Sequence, residues 1–187
     1  MSEAIRNELR VSWGQYHRAI EDLAVMVHRS GWQFDQILCL ARGGLRPGDV
    51  FSRLFNVPLA ILSASSYRED GGSRRGELEI ARHITMATDT LAGRVLLIDD
   101  LVDSGITMEN VQRHLQEFFP EVTEVRSAVI WCKAGSCLRP DYFLQYLEGD
   151  PWIVQPFEAY DELGIQGVLR QGFTEPGRDT WSDDGSK

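Results

Sequence analysis

The segment Val95–Thr107, with the sequence VLLIDDLVDSGIT, constrains the fold more than any other part of the chain. Residues 94–98 form a run too short for a stable buried helix and too apolar for a half-exposed strand. The run therefore indicates a central parallel strand that is covered on both faces. Asp99 and Asp100 follow at the carboxyl end of this strand, where open α/β sheets place their ligands. The segment thus predicts both a fold class and the position of a site.

An amphipathic helix follows the acids. Apolar residues recur at spacings of three and four from Met108 to Phe118, so the helix is expected to begin near Gly105. A helix start offers unpaired N–H groups and the positive end of a dipole. Ser104 and Thr107 add hydroxyl donors, and the glycine between them permits close backbone approach. The turn is therefore expected to bind a phosphate.

The adjacent acids need a different partner. Two carboxylates beside a bound phosphate repel it unless Mg²⁺ or sugar hydroxyls intervene, and Mg²⁺ prefers one or two carboxylates with ligand oxygens and water. These features predict a ligand that carries both phosphate and hydroxyl groups. The alternative is an acidic loop that merely caps a strand and a helix, because Asp and Ser are common N-caps. Three acids with a Ser-Gly-x-Thr turn exceed what capping requires.

This segment resembles the phosphoribosyl pyrophosphate motif of type I phosphoribosyltransferases, in which apolar residues precede two acids, two spacers and Asp-Thr/Ser-Gly-x-Thr. The resemblance implies that Asp99 and Asp100 hold the ribose 2- and 3-hydroxyls, directly or through metal-bound water, and that Mg²⁺ binds there. Leu101 and Val102 are the spacers of the same binding segment. The resemblance implies that the 5-phosphate is wrapped by Asp103, Ser104, Gly105, Ile106 and Thr107.

A second buried strand is predicted over residues 37–41, and it runs directly into Arg42-Gly43-Gly44. A guanidinium beside glycine N–H groups suits a pyrophosphate, although an isolated glycine-rich turn of this kind is common. With the first motif, the loop resembles the pyrophosphate loop of bacterial xanthine-guanine phosphoribosyltransferases. Ala41 stands where those enzymes often carry serine.

Two further stretches resemble the base-binding side of the same enzymes. Lys133 emerges from a predicted buried strand, and the resemblance implies that it contacts the exocyclic oxygen of a 6-oxopurine. An ammonium has only donors, so it disfavours the amino group of adenine. Trp152, taken alone, is interpreted as a core residue. The resemblance implies instead that Trp152 faces the purine and that the Ile153 backbone reads its 2-position.

The polar, glycine-rich stretch over residues 63–80 predicts a surface excursion. In the family, the corresponding place carries a flexible hood that closes over the reacting centre and excludes water. Arg74 and Arg75 are the residues of this hood expected to reach the pyrophosphate, and the sequence leaves open which of them does so. Asp103 is expected to accept a base proton or to steady the N–H of the base, as the matching acid does in the family.

Residues 1–170 are expected to form one α/β domain with the type I phosphoribosyltransferase fold, which has a doubly wound, mainly parallel sheet and the hood loop. Residues 171–187 are expected to form a loose tail. A Ser12–Gln15 capping box starts a helix with an apolar stripe through Tyr16, Ile20, Leu23, Ala24 and Val27.

Composition narrows the functional classes. The formal net charge of −9 argues against a general nucleic-acid surface. The sequence carries no apolar stretch long enough to span a bilayer and no secretory signal, so a cytoplasmic location is expected. The three cysteines lack metal-ligand spacing, which favours buried or free thiols.

The predicted activity is Mg²⁺-dependent transfer of the phosphoribosyl group from phosphoribosyl pyrophosphate to guanine, xanthine or hypoxanthine, in a homodimer or homotetramer. One alternative is a regulatory protein of the same fold that senses phosphoribosyl pyrophosphate without catalysis. The other is a metal-dependent phosphoacceptor receiver domain, which needs neither Arg42-Gly43-Gly44 nor a phosphate loop.

Overall fold

A computed structural model describes residues 8–66, 78–81 and 83–170 of the chain. Within those ranges the helices are α1 (Trp13–Arg29), α2 (Leu45–Phe55), α3 (Ile106–Phe118) and α4 (Ala159–Arg170). The strands are β1 (Glu8–Arg10), β2 (Gln36–Ala41), β3 (Leu59–Ser66), β4 (Leu78–Ile80), β5 (Thr85–Met86), β6 (Gly93–Ile98), β7 (Leu101–Val102), β8 (Val122–Lys133), β9 (Tyr142–Leu147) and β10 (Trp152–Val154).

The main sheet of the described residues has the strand order β4-β3-β2-β6-β8-β7, with β5 beside β3 and β9 beside β8. Strands β3, β2, β6, β8 and β9 are parallel to their neighbours in this set, whereas β4 and β5 are antiparallel to β3. The chain moves from β2 outward to β3 and then returns to the other side of β2 to form β6. The topological switch point therefore lies between β2 and β6, and the predicted doubly wound, mainly parallel sheet is confirmed.

Each face of this sheet is covered by its own apolar cluster. Alternate residues of β6 point in opposite directions, so that Leu96 and Ile98 pack on one side while Val95 and Leu97 pack on the other. Helices α1 and α2 cover the first side, and α3 covers the second. The four apolar residues of β6 are completely buried, as expected of a central parallel strand.

Helix α1 forms as its sequence predicts. The Ser12 side chain accepts a hydrogen bond from the Gln15 backbone N–H, and the Gln15 side chain accepts one from the Ser12 N–H. This capping box satisfies backbone donors that the first turn would otherwise leave unpaired. The predicted apolar stripe is confirmed, because the buried residues of the helix are Tyr16, Ile20, Leu23, Ala24 and Val27.

The predicted boundaries of the surface excursion were wrong. Residues 63–66 belong to β3 and residues 78–80 form β4, and the two segments pair in antiparallel register from Ala64↔Ile80 to Ser66↔Leu78. The expectations for Arg74 and Arg75, and for the tail over 171–187, lie outside the described residues. The small strands β1 and β10 pair with each other in parallel, an interaction that the sequence did not predict.

Cys39 and Cys132 are buried and Cys137 is exposed, and all three are free thiols, as predicted. In the part of the chain that the structure describes, no helix combines the length and the apolar character that crossing a membrane requires.

Candidate active site

A cavity of about 740 Å³ opens at the carboxyl ends of β2 and β6, at the topological switch point. Two separate stretches of the chain meet there, the turn between β6 and α3 and the loop between β2 and α2. Among the residues that the sequence singled out, the cavity wall contains Arg42, Gly43, Asp99, Asp100, Leu101, Val102, Asp103, Ser104, Gly105 and Thr107.

The turn between β6 and α3 is shaped by local contacts. Gly105 has a φ of +83°, and a side chain there would collide with the Ser136 hydroxyl. The Cys137 N–H donates to the Ser104 carbonyl at 2.9 Å, so the segment after β8 supports the turn from behind. Helix α3 begins at Ile106, and its first N–H groups lie at this end of the cavity. Ile106 itself is not part of the wall.

Asp99 and Asp100 form a tightly spaced acidic pair beside this turn. The Asp100 N–H donates to the Asp99 carboxylate at 2.9 Å. Burial raises the pKa of the Asp99 carboxyl well above its ordinary range, and the nearby Asp100 charge raises it further. Burial also raises the pKa of Asp100, although hydrogen bonds from Gln155 and the local backbone oppose that shift. A cation at this pair would therefore be electrostatically favoured.

The loop after β2 packs closely against the acidic pair. A side chain at Gly43 would occupy the space of the Asp100 carboxylate, and one at Gly44 would collide with the Ile98 and Leu40 backbone. The Gly44 N–H donates to the Leu40 carbonyl at 2.8 Å, which fixes the start of α2. Both positions therefore require glycine, because any side chain there would collide with neighbouring atoms. Gly44 is not part of the cavity wall.

Arg42 extends from the same loop. Its side chain is largely exposed, and its Nη1 lies 3.5 Å from an Asp161 carboxylate oxygen. Because the pair is solvated, it contributes little to stability. A guanidinium in this position is able to exchange the carboxylate for a phosphate group.

Lys133 lies at the end of β8, and its side chain is 9% exposed. Its Nζ lies 2.6 Å from an Asp150 oxygen and 3.2 Å from an Asp103 oxygen. Burial alone would lower the pKa of Lys133, but the two carboxylates outweigh it and raise the pKa above its ordinary value. The charged lysine is therefore connected to the cavity through Asp103, which is a wall residue.

The other predicted base-binding residues lie on β10, outside the cavity wall. Trp152 is 46% exposed, so it is not the core residue that its local sequence alone predicted. The Ile153 side chain is buried in the core, and its backbone is in register with Leu9 of β1. Lys133 also lies outside the wall, so the structure does not gather the three base-side residues around the cavity.

Sequence reasoning missed the part of the wall that follows β10. The cavity is also lined by Arg46, Gln155, Phe157, Glu158, Tyr160 and Asp161. The Gln155 amide donates to Asp100 Oδ2 at 2.6 Å, and both side chains are buried. The resemblance assigns roles in this segment only to Trp152 and Ile153, and no local spacing indicates that Gln155 turns towards the acids.

Comparison with known proteins identifies the class of this fold and site. The sequence model of the phosphoribosyl transferase domain matches residues 12–162. The chain therefore belongs to the phosphoribosyltransferase family, and the alternative of a phosphoacceptor receiver domain is excluded.

Individual relatives are purine enzymes by name. The chain is 32% identical over 154 residues to a xanthine-guanine phosphoribosyltransferase of Idiomarina loihiensis, covering 82% of this chain and 88% of that protein. A solved purine phosphoribosyltransferase of Pyrococcus horikoshii matches with a TM-score of 0.64 and 28% identity, over 81% of this chain and 94% of the other. A Helicobacter pylori xanthine-guanine-hypoxanthine phosphoribosyltransferase shares the fold, with a TM-score of 0.67 and 22% identity over 88% of this chain and 99% of the other.

Proposed function

We propose that this phosphoribosyltransferase serves purine salvage by transferring the 5-phosphoribosyl group of phosphoribosyl pyrophosphate to guanine, xanthine or hypoxanthine. The products are the nucleoside monophosphate and pyrophosphate. One observation carries the proposal: the Asp99–Thr107 turn and the Arg42 loop both line a single cavity. A sugar that carries a phosphate at one end and a pyrophosphate at the other matches these two parts.

The phosphate end of the sugar is assigned to the start of α3. Ser104 and Thr107 offer hydroxyl groups on the cavity wall, and the first turn of α3 supplies backbone N–H groups beside them. Asp103, Gly105 and Ile106 complete the segment that wraps the phosphate. Binding there fixes the sugar in one orientation for attack at its C1 atom.

The ribose hydroxyls are assigned to Asp99 and Asp100. Leu101 and Val102 are the spacers between these acids and the segment that binds the phosphate. Carboxylates accept hydrogen bonds from hydroxyl groups, and both acids lie on the cavity wall. The pyrophosphate is assigned to Arg42 and the backbone of Gly43 and Gly44. A guanidinium binds phosphate oxygens through two parallel hydrogen bonds, so Arg42 stabilises the negative charge that develops on the leaving group.

The residues at the acidic pair fit Mg²⁺. A cation would stabilise the charged form of the Asp99 and Asp100 carboxyl groups, whose pKa values are raised by desolvation. Among the described residues, no three His, Cys, Asp or Glu side chains gather into a metal cage. This agrees with a metal that takes one or two protein carboxylates and otherwise phosphate oxygens and water. When bound, Mg²⁺ neutralises charge on the pyrophosphate and improves it as a leaving group.

The base side is assigned to Lys133, Trp152 and the Ile153 backbone. Lys133 is held by Asp103 and Asp150 in a charged state, which suits a donor to the 6-oxygen of the purine. Since Lys133, Trp152 and Ile153 lie outside the cavity wall, the purine would bind beyond Asp103, at the end of the cavity that leads to Lys133.

The reaction is a substitution at C1 of the ribose. A purine nitrogen forms the new bond to C1 as the bond from C1 to the pyrophosphate oxygen breaks, and the electron pair leaves with the pyrophosphate. The proton on the attacking nitrogen passes to Asp103, whose carboxylate is exposed on the cavity wall. Arg74 and Arg75, as hood residues, would add positive charge at the pyrophosphate, and this role stays a prediction.

Two further expectations belong to this proposal. The chain acts in the cytoplasm, where its free thiols would stay reduced. It also assembles as a homodimer or homotetramer, a state that sedimentation analysis would determine.

A panel of nucleobases tests the proposal. The protein is incubated with Mg²⁺, phosphoribosyl pyrophosphate and each common base in turn, and both nucleotide and pyrophosphate are measured. We expect product with at least one of guanine, xanthine and hypoxanthine, and far less with adenine. Binding of phosphoribosyl pyrophosphate without product from any base would instead support the regulatory alternative.

A further inference from the structure

A second arginine, Arg46, projects into the cavity from the first turn of α2. Its guanidinium carbon lies 4.3 Å from the centroid of the Phe157 ring and 5.5 Å from that of Trp13. Phe157 is itself a wall residue, and its ring meets Tyr16 edge-on at 5.6 Å. Aromatic contact therefore fixes the position of the Arg46 side chain on the cavity wall.

No anionic group of the described chain neutralises this guanidinium. Within residues 8–66, 78–81 and 83–170, no carboxylate lies within 4.0 Å of Arg46. The arginines on either side of it in the sequence differ, because Arg42 pairs with Asp161 and Arg53 pairs with Asp49. A partly buried charge that lacks a partner is unfavourable, so an anionic ligand would stabilise it.

The way in which Arg46 is held suits an oxyanion. The Arg46 guanidinium lies over an aromatic ring, and within the described residues its N–H groups have no carboxylate partner. Those N–H groups form a fork that matches two oxygens of a phosphate. The aromatic contact also restricts the side chain before the ligand arrives, which lowers the entropy cost of binding.

The position of Arg46 indicates which end of the proposed substrate it contacts. It lies two residues after Gly44, on the helix that begins at the Arg42 loop. The 5-phosphate is assigned to the start of α3, which packs on the other face of the sheet from α2. Glu158 and Asp161 also line the cavity, and acids there would repel a pyrophosphate in the absence of added positive charge.

We propose that Arg46 is a substrate-binding residue that, together with Arg42, holds the pyrophosphate of phosphoribosyl pyrophosphate and of the released product. The assignment rests on the proposed function. It adds a cation that stays in place through aromatic contact, whereas Arg42 must first leave Asp161.

Binding of Mg²⁺-pyrophosphate, measured by calorimetry without any purine, tests this assignment. Arg46→Gln should weaken the affinity about tenfold or more, the loss expected for one charge-assisted contact. It should raise the KM for phosphoribosyl pyrophosphate by a similar factor and leave the KM for the base unchanged. Arg53→Gln is the matched control, since it removes the same charge from the same helix at an exposed site paired with Asp49.

Equal pyrophosphate affinities of Arg46→Gln and Arg53→Gln would overturn the assignment. Should Arg46→Gln fail to fold, as judged by its thermal melt, Arg46→Lys decides. Lysine keeps the charge but loses the planar fork, so a several-fold loss supports the assignment and wild-type affinity contradicts it. If the wild-type protein binds pyrophosphate through Arg46 but makes no nucleotide, the proposed function is refuted and the Arg46 assignment is retained.

Discussion

The Gln155 side chain holds the Asp100 carboxylate in place, with its Nε2 2.6 Å from Asp100 Oδ2. Gln155 is 6% exposed and Asp100 is 9% exposed, so water does not compete for this hydrogen bond. On another side of the carboxylate, the absence of a side chain at Gly43 leaves the space that the carboxylate fills. The orientation of Asp100 is therefore set by residues from two distant parts of the chain, the loop after β2 and the segment after β10.

This relationship predicts the effect of Gln155→Met, which preserves side-chain length but removes the amide donor. Without the donor, Asp100 is less well oriented, and we expect the Mg²⁺ concentration for half-maximal activity to rise about tenfold, as for other residues that orient metal ligands. Direct binding of Mn²⁺, followed by its electron paramagnetic resonance signal, should weaken in parallel. Gln145→Met is the control, because it removes a side-chain hydrogen bond of 2.9 Å to Trp131 away from the cavity. Unchanged metal dependence in Gln155→Met would refute the positioning role.

Gly43→Ala should displace the same carboxylate. The added methyl group would enter the space of the Asp100 carboxyl group, so the loop or the acid must move. We expect the affinity for phosphoribosyl pyrophosphate, measured by calorimetry, to fall more than tenfold, the loss that a displaced charge-assisted contact causes. Gly14→Ala is the matched control, since nothing lies within 4 Å of its added methyl group. If both variants bind the substrate equally well, close packing at Gly43 does not position Asp100.

Lys133→Ala tests the base assignment. Loss of the ammonium removes the donor proposed for the 6-oxygen of the purine, so the ratio of kcat/KM for guanine to that for adenine should fall. The variant also leaves Asp103 and Asp150 without their shared cation. Steady-state kinetics with both bases would reveal the change. An unchanged ratio would show that Lys133 serves only to balance the two acids.

Asp103→Asn separates catalysis from binding. The amide keeps the size of the side chain but cannot accept a proton from the base, so kcat should fall by more than the affinity for phosphoribosyl pyrophosphate does. Turnover assays and calorimetry on the same preparation supply the two values. Losses of equal size would assign Asp103 to substrate binding rather than to proton transfer.

Local patterns were sufficient for the elements around the phosphate turn. The apolar stripe of α1 follows the helical period, and the strand that ends at Ile98 is a continuous apolar run, so the sequence displays both directly. Asp99 and Asp100 were assigned to the carboxyl end of the sheet because they directly follow that strand. The resemblance to the family motif then assigned roles to these residues, which their spacing alone does not predict.

Other features depend on contacts between distant segments, and the sequence gives no local signal for them. Strand β3 extends through small polar residues to Ser66 because β4 pairs with it, so residues 63–66 were mistaken for loop. Helix α4 is interrupted at Gly164, whose backbone angles are not helical, so no single helical period runs through its sequence. Gln155 and Arg46 reach the cavity only through the tertiary packing of β10 and α2.

The most direct test of the account is a crystal structure of the protein soaked with Mg²⁺ and phosphoribosyl pyrophosphate. We predict that the 5-phosphate lies at the start of α3 beside Ser104 and Thr107, with the ribose hydroxyls on Asp99 and Asp100. The pyrophosphate should lie beside Arg42. Density for the sugar at any other place on the molecule, with this cavity left without it, would contradict the account.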